Sequence, residues 1–204
     1  MLSVVGNRPL SRQEAELATE VLKLDPRAEK TRSALMRAFN TLVLSRGYDG
    51  LMPADVAAVA GVARSTLYEH FAGKEDMLRH SLLPILGPLS DCVCSTDVLP
   101  QLEHTLEHIR GSRRTARTLL SGRARIIAAR TLARLIEGRL GQVPACRTAM
   151  PPTLLAAYLT NGILGLLEEW LAGRETSQIP VLARALQAST RAAAASMNGE
   201  ASTA

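Results

Sequence analysis

At 204 residues, with 47% apolar and 21% charged side chains, the chain suffices for one large or two small domains and is far from a disordered composition. Only 3% of residues are aromatic while Ala, Leu and Arg dominate, so an all-α fold is expected over a strand-rich one. No apolar run approaches the roughly 20 residues of a membrane span, and Met1 to Leu10 carries no signal-peptide core, which predicts a cytoplasmic protein with no membrane partner.

That compartment keeps thiols reduced, and the three cysteines (Cys92, Cys94, Cys146) are an odd number, so no disulfide framework is expected. Cys92-x-Cys94 offers only two metal ligands and reads as a pair of small apolar residues. The net charge of +5 hints at a polyanionic partner, yet its distribution matters more than its sum. From Pro26 to Leu82, eight basic residues face six acidic ones, which is almost neutral. The excess lies between Arg110 and Arg139, where nine arginines meet Glu137 alone.

Along the chain, Ser11-x-x-Glu14 leaves two readings of residues 1–24: a capping box opening a short helix, or a flexible arm. Asp25-Pro26 is a firmer start, an N-cap acid before a proline at the first helical position. Leu35, Phe39, Leu42 and Val43 then recur at helical spacing until Gly47. Pro53 opens a short second helix with Val56, Ala57 and Ala60 on one face, stopped by Gly61. A third runs from Arg64 to Phe71. Lys74 starts a fourth, which Pro84 and Gly87-Pro88 should kink or end. Cys92 to Pro100 reads as a loop, and further helices are expected at about 100–110, 112–121, 123–140, 152–172 and 178–197. Asn198 to Ala204 should fray.

Pro53 to Ala60, the turn at Gly61 and the helix from Arg64 have the layout of a helix-turn-helix. Val56, Ala60, Val62 and Leu67 can pack the pair onto the first helix, while Arg64, Ser65, Thr66, Glu69 and His70 face outward. Such groups reach base edges and phosphates. Spacing alone leaves an ordinary helical hairpin equally open.

The wider pattern consists of Thr31-Arg32, Gly47-Tyr48, Asp55-Val56-Ala57-x-x-Ala60-Gly61-Val62, Thr66-Leu67-Tyr68-x-His70-Phe71 and Lys74-Glu75-Asp76-x-Leu78. It resembles the DNA-binding domain of the TetR/AcrR family of transcriptional regulators, without a gap from Thr31 to Leu78. The resemblance implies phosphate contacts from Thr31 and Arg32, base or phosphate contacts from Arg64, Ser65 and Thr66, and backbone contacts from Tyr68 and His70. It also implies that Lys74 offers its ammonium and the start of the fourth helix to a phosphate. Phe71 would be core. Three sites depart from the family: Leu51-Met52 stand where Ser or Thr usually precedes helix two, Ala63 replaces a capping Ser, and Ser65 replaces Gly. The operator sequence therefore does not transfer from relatives.

In the C-terminal half, helix 152–172 carries two apolar stripes: Leu155, Leu159, Ile163, Leu166 and Trp170, and beside them Leu154, Tyr158, Leu164 and Leu171. The next helix adds Val181, Leu182, Ala185, Leu186, Ser189, Ala192 and Ala193. Two such helices from each of two chains would close a four-helix interface, against the alternative of a buried hairpin in a monomer. The expected interface residues are Leu155, Leu159, Ile163, Leu166, Leu182, Ala185, Leu186 and Ser189. The resemblance points to the same two-fold dimer, which would set two recognition helices on a palindromic operator, and it implies a small-molecule effector pocket. Candidate lining residues are His104, His108, Tyr158 and Trp170, each also readable as structural.

No nucleophile stands beside a base, and no phosphate loop or metal-ligand cluster is evident, so neither an enzyme nor a cofactor is expected. The chain divides into 1–24 (arm or short helix), 25–78 (helix-turn-helix domain) and 79–204 (effector and dimerisation domain). A homodimeric, ligand-responsive repressor binding double-stranded DNA is the leading reading; a helical protein-interaction module without sequence-specific DNA binding is the alternative.

Overall fold

The structure, a computed structural model, describes residues 26–142, 150–173 and 177–196. The arm or helix expected over 1–24, Asp25, Cys146 and the terminal Asn198 to Ala204 lie outside the described residues. Within them every regular element is an α-helix: α1 (Pro26–Arg46), α2 (Pro53–Ala60), α3 (Arg64–His70), α4 (Lys74–Asp91), α5 (Leu99–Gly111), α6 (Arg113–Leu119), α7 (Gly122–Gln142), α8 (Pro152–Ala172) and α9 (Ile179–Ser196). The all-α expectation holds, and the boundaries, the end of α4 apart, follow the sequence signals within a residue or two. The N-terminal helix-turn-helix is carried by a larger C-terminal helical domain.

The first three helices form around one knot of side chains. Leu35, Phe39 and Leu42 of α1, Val56 and Ala57 of α2, and Leu67 of α3 are all buried, as is Phe71 just beyond. The α2–α3 turn depends on Gly61, which takes φ 68° and ψ 32° at the end of α2. Its N–H donates to the Ala58 carbonyl and the Val62 N–H to that of Ala57, so the last carbonyls of α2 are satisfied within the turn. The missing cap before α2 is replaced from inside: the Asp55 carboxylate accepts the Met52 N–H at 3.2 Å, and the Asp55 N–H donates to the Met52 carbonyl at 3.0 Å.

α4 does not end at its prolines but runs through Pro84 and Pro88 to Asp91. An interior proline costs about 3 kcal/mol, whereas each fully buried Leu contributes about 1.5–3 kcal/mol. Leu82, Leu86 and Leu89 are all buried, so packing outweighs the two missing hydrogen bonds. The last turn is reinforced by Ser90 Oγ donating to the Gly87 carbonyl at 2.7 Å and Cys92 Sγ to that of Pro88 at 3.4 Å. Burial, chiefly, pushes the Cys92 thiol up to about 12, as suits an inert core residue.

α4 and α8 flank α7, and α9 packs on α5 and α8. Arg139 to Asp91 and Arg125 to Glu168, each at 2.6 Å, tie α7 to α4 and α8. The two stripes of α8 separate cleanly. Leu155, Leu159 and Ile163 are buried in the chain's own core, as are Leu182 and Leu186 of α9. These five, expected at a dimer interface, are instead the inward face, because i, i+4 spacing from Leu155 continues into the buried Leu167 and Leu171. Leu166, Ala185 and Ser189 stay exposed, beside Leu154 (58% exposed), Tyr158 (57%) and Val181 (50%).

Gly61→Ala would meet no neighbour, since nothing lies within 4 Å of an added Cβ. The substitution should therefore report left-handed strain alone, lowering stability by about 1–2 kcal/mol in urea titration.

Candidate nucleic-acid interface

α3 is a helix with two unlike sides. Leu67 is buried, whereas Arg64, Ser65 and Glu69 are exposed and Tyr68 keeps 53% of its surface. Thr66 and His70 are half-buried at its flanks. No side chain caps its start at Ala63, and the Ala63 carbonyl accepts the Leu67 N–H at 3.2 Å. The first-turn N–H groups beside Arg64 and Ser65 thus remain available to an anion. Thr31 lies half-buried in the second turn of α1.

Two basic residues placed at phosphates by resemblance are engaged within the protein. The guanidinium of Arg32 stacks over the Phe71 ring at 4.5 Å and donates to the His70 carbonyl at 3.3 Å. His80 meets the same ring edge-on at 5.4 Å. Arg32 therefore fastens the end of α3 to α1, through partners 38 and more positions away that no local spacing announces. Lys74 is turned inward more completely. Its Nζ donates to the carbonyls of Tyr48 (3.4 Å), Asp49 (3.2 Å) and Leu51 (3.0 Å) and sits 4.9 Å from the Tyr48 ring centre. All three ammonium donors are taken. The expected phosphate contact of this ammonium is corrected to a clamp that closes the α1–α2 loop onto the start of α4.

Tyr48 is buried under that clamp. Its phenol is pushed above its ordinary pKa by burial first and then by the carboxylates of Glu75 and Asp49, against the pull of Arg123 and Arg79. At the start of α4 the Asp76 carboxylate accepts the Ala72 N–H at 3.1 Å and pairs with Arg79 at 3.1 Å. This anion neutralises the helix end that the resemblance offers to a phosphate.

The expected effector residues are not gathered. His104 is exposed because Leu102, Thr105, Leu106 and Ile109 take the inward face of α5; Tyr158 is exposed and Trp170 half-buried because Leu155, Leu159, Ile163 and Leu167 take that of α8. His108, although exposed, borders a cleft of about 270 Å³ between α1, α4, α5 and α6, with Phe39, Asn40 and Ser81 opposite. Deeper in the bundle an apolar cavity of about 50 Å³ lies among Leu86, Leu89, Ile109, Leu120, Ala128 and Leu164. Its lining was legible only as core leucines and isoleucines. Among the described residues, no cluster of three His, Cys, Asp or Glu could hold a metal.

A short helix presenting polar groups from a buried seat, behind a glycine turn and a locked three-helix core, defines a helix-turn-helix DNA-binding domain. Residues 31–80 match the profile described as bacterial regulatory proteins, tetR family. The uncharacterized HTH-type transcriptional regulator YxbF of Bacillus subtilis (strain 168) is 34% identical over 58 residues, 28% of this chain; the match spans 15% of that relative's length. Two solved structures share the fold: a TetR-family regulator from Streptomyces coelicolor A3 (TM-score 0.63, 19% identity, 84% of this chain and 98% of that one), and a TetR transcriptional regulator from Streptococcus agalactiae 2603V (0.55, 22%, 83% and 98%). Over residues 31–80, about a quarter of its length, the chain is similar to the tetR family of bacterial regulatory proteins, and its wider helical layout is shared with the two solved regulators.

Lys74→Met preserves the stem over Tyr48 and removes the three hydrogen bonds. Chemical denaturation should show a loss of about 1–2 kcal/mol, and an unchanged midpoint would refute the clamp.

Proposed function

We propose that the protein is a homodimeric repressor that binds a palindromic operator through α3 and leaves it when a small molecule enters the C-terminal domain. The observation that carries this reading is the two-sidedness of α3, whose Leu67 is anchored at 1% exposure while Tyr68, Arg64 and Ser65 project. A helix held this way can enter the major groove without losing its seat. In this reading, residues 25–78 form the DNA-binding unit and 79–204 the effector and dimerisation unit. Arg64, Ser65 and Thr66 meet bases or phosphates; Thr31, Tyr68 and His70 meet the backbone.

The exposed side of α8 and α9 supports the dimer. Leu154, Tyr158, Leu166 and Val181 leave an apolar face that water disfavours. A second copy would cover it with the same face about a two-fold axis. The cavity among α4 to α8 supports an apolar effector. At about 50 Å³ it is well below the roughly 300–1,000 Å³ of a ligand site, so the effector must part the helices to enter. One buried polar atom lies a helical turn from its lining: Thr160 Oγ1 has no hydrogen-bond partner. Thr160 shares a face of α8, by i, i+4, i+7 spacing, with the cavity-lining Leu164 and Leu167.

Selection of bound fragments from a random DNA pool should return an inverted repeat with half-sites one helical turn, about 34 Å, apart. Failure to enrich any sequence would favour the protein-interaction module. With the selected site in hand, Arg64→Ala should weaken binding about tenfold or more, and Tyr68→Phe less, with melting behaviour unchanged. Separately, Tyr158→Glu with Val181→Glu should halve the sedimenting mass; a retained dimer would place the interface elsewhere.

A further inference from the structure

The arginine-rich stretch divides into two groups once its partners are known. Arg125 and Arg139 are held by Glu168 and Asp91. Arg113 donates from Nε to the Leu171 carbonyl at 2.8 Å, bracing the end of α8. Arg110, Arg114, Arg117, Arg123, Arg130 and Arg134 are exposed and pair with no carboxylate among the described residues. Arg114 and Arg117 lie on one face of α6 and line an open groove with Arg113, Thr118 and Ser121; among the described residues no acidic side chain lines it. Both hydroxyls already donate to carbonyls, of Arg114 and Thr118, so the guanidiniums are the groove's free donors.

The position of this groove selects its occupant. A Cβ on Gly47 would lie 3.9 Å from the Thr118 methyl, and one on Gly122 would lie 3.0 Å from Asp49 Oδ2. The end of α6 and the start of α7 therefore press on the α1–α2 loop of the DNA-binding domain, whereas α7 ends at Asp91, the far end of α4. Arg110, Arg114, Arg117 and Arg123 thus crowd the end of the C-terminal bundle that adjoins the helix-turn-helix. The helix-turn-helix itself has almost no net charge, and two of its cations, Arg32 and Lys74, are engaged internally.

We propose that Arg114 and Arg117 of α6, with Arg110 and Arg123 beside them, form a second DNA-binding surface that grips the sugar–phosphate backbone outside the bases met by α3. This rests on the DNA-binding reading above. An exposed guanidinium suits a phosphate, through paired N–H donors and a charge that survives at any working pH. It reads no sequence, so the surface adds affinity and salt dependence rather than operator choice.

The test measures the affinity of the full chain for its selected operator over a salt series. Arg114→Gln with Arg117→Gln should flatten the plot of log affinity against log salt by about one unit for each phosphate no longer neutralised. Arg114→Lys with Arg117→Lys, which keeps the charge, should retain most of the slope. Arg134→Gln removes a matching charge about 18 Å further along α7 than Gly122, at about 1.5 Å per residue, and should leave the slope as it was. An unchanged slope in the double Gln variant, with its helical melting intact, overturns the proposal and leaves the groove to a soluble anion. So does an equal flattening for each charge removed in Arg134→Gln, which would indicate net charge alone. If the unaltered protein binds no DNA, the DNA-binding reading itself fails, an outcome distinct from binding with an unchanged slope.

Discussion

The ammonium of Lys74 is the point at which the α1–α2 loop is closed onto the start of α4. Three carbonyls of one loop, from Tyr48, Asp49 and Leu51, converge on it from the end of α1 and the approach to α2. A turn that leaves carbonyls pointing at one place needs a donor with several hydrogens and no acceptor of its own, which describes lysine. With that loop closed, Tyr48 and Leu51 are driven into the core, α2 and α3 find their seat on α1, and α4 starts at a defined place and direction. The outer side of the same loop receives α6 and α7, through Thr118 and Gly122. α3 is thus positioned by this loop as well as by its own buried Leu67 and the Arg32 bond to His70.

Charge is arranged by the same logic of separation. Carboxylates serve as local fasteners: Asp55 at the start of α2, Asp76 at the start of α4, Asp91 and Glu168 against α7. Arginines near them are structural, as is Arg113 on the Leu171 carbonyl, while Arg114 and Arg117 of α6 and the neighbouring Arg110 and Arg123 are left to solvent. A single net charge summed over the chain hides this division, because it counts a clamped arginine and a free one alike. The consequence is a near-neutral helix-turn-helix carried on a basic shoulder.

Much of the fold could be read from spacing. Gly47, Gly61 and Pro53 punctuate the N-terminal domain where the backbone bears them out, and the ends of α8 fall where Pro152 and Gly173 predict. The errors share one cause. Periodicity identifies that α8 has two apolar sides but not which faces inward, since Leu154 and Leu155 are chemically alike; only the packing of α7 decides. Arg32 and Lys74 were legible as cations on a helix-turn-helix, yet their partners lie 23 to 39 positions distant and leave no trace in local pattern. The histidines of α5 look functional by residue type, whereas Leu102, Leu106 and Ile109 had already claimed the inner face. The arginines of α6 were visible as a charge excess; their grouping at one end of the bundle follows from tertiary contact alone.

The two prolines of α4 have a mechanical consequence. Lacking N–H groups, Pro84 and Pro88 leave the carbonyls of His80 and Pro84 without their helical donors, so the middle of α4 resists bending less than its ends do. Those ends are pinned, at the start by Lys74 and at the finish by Arg139 on Asp91. α4 is therefore a beam fixed at both supports and softened at mid-span, and the softened span carries Leu86 and Leu89 along the wall of the apolar cavity.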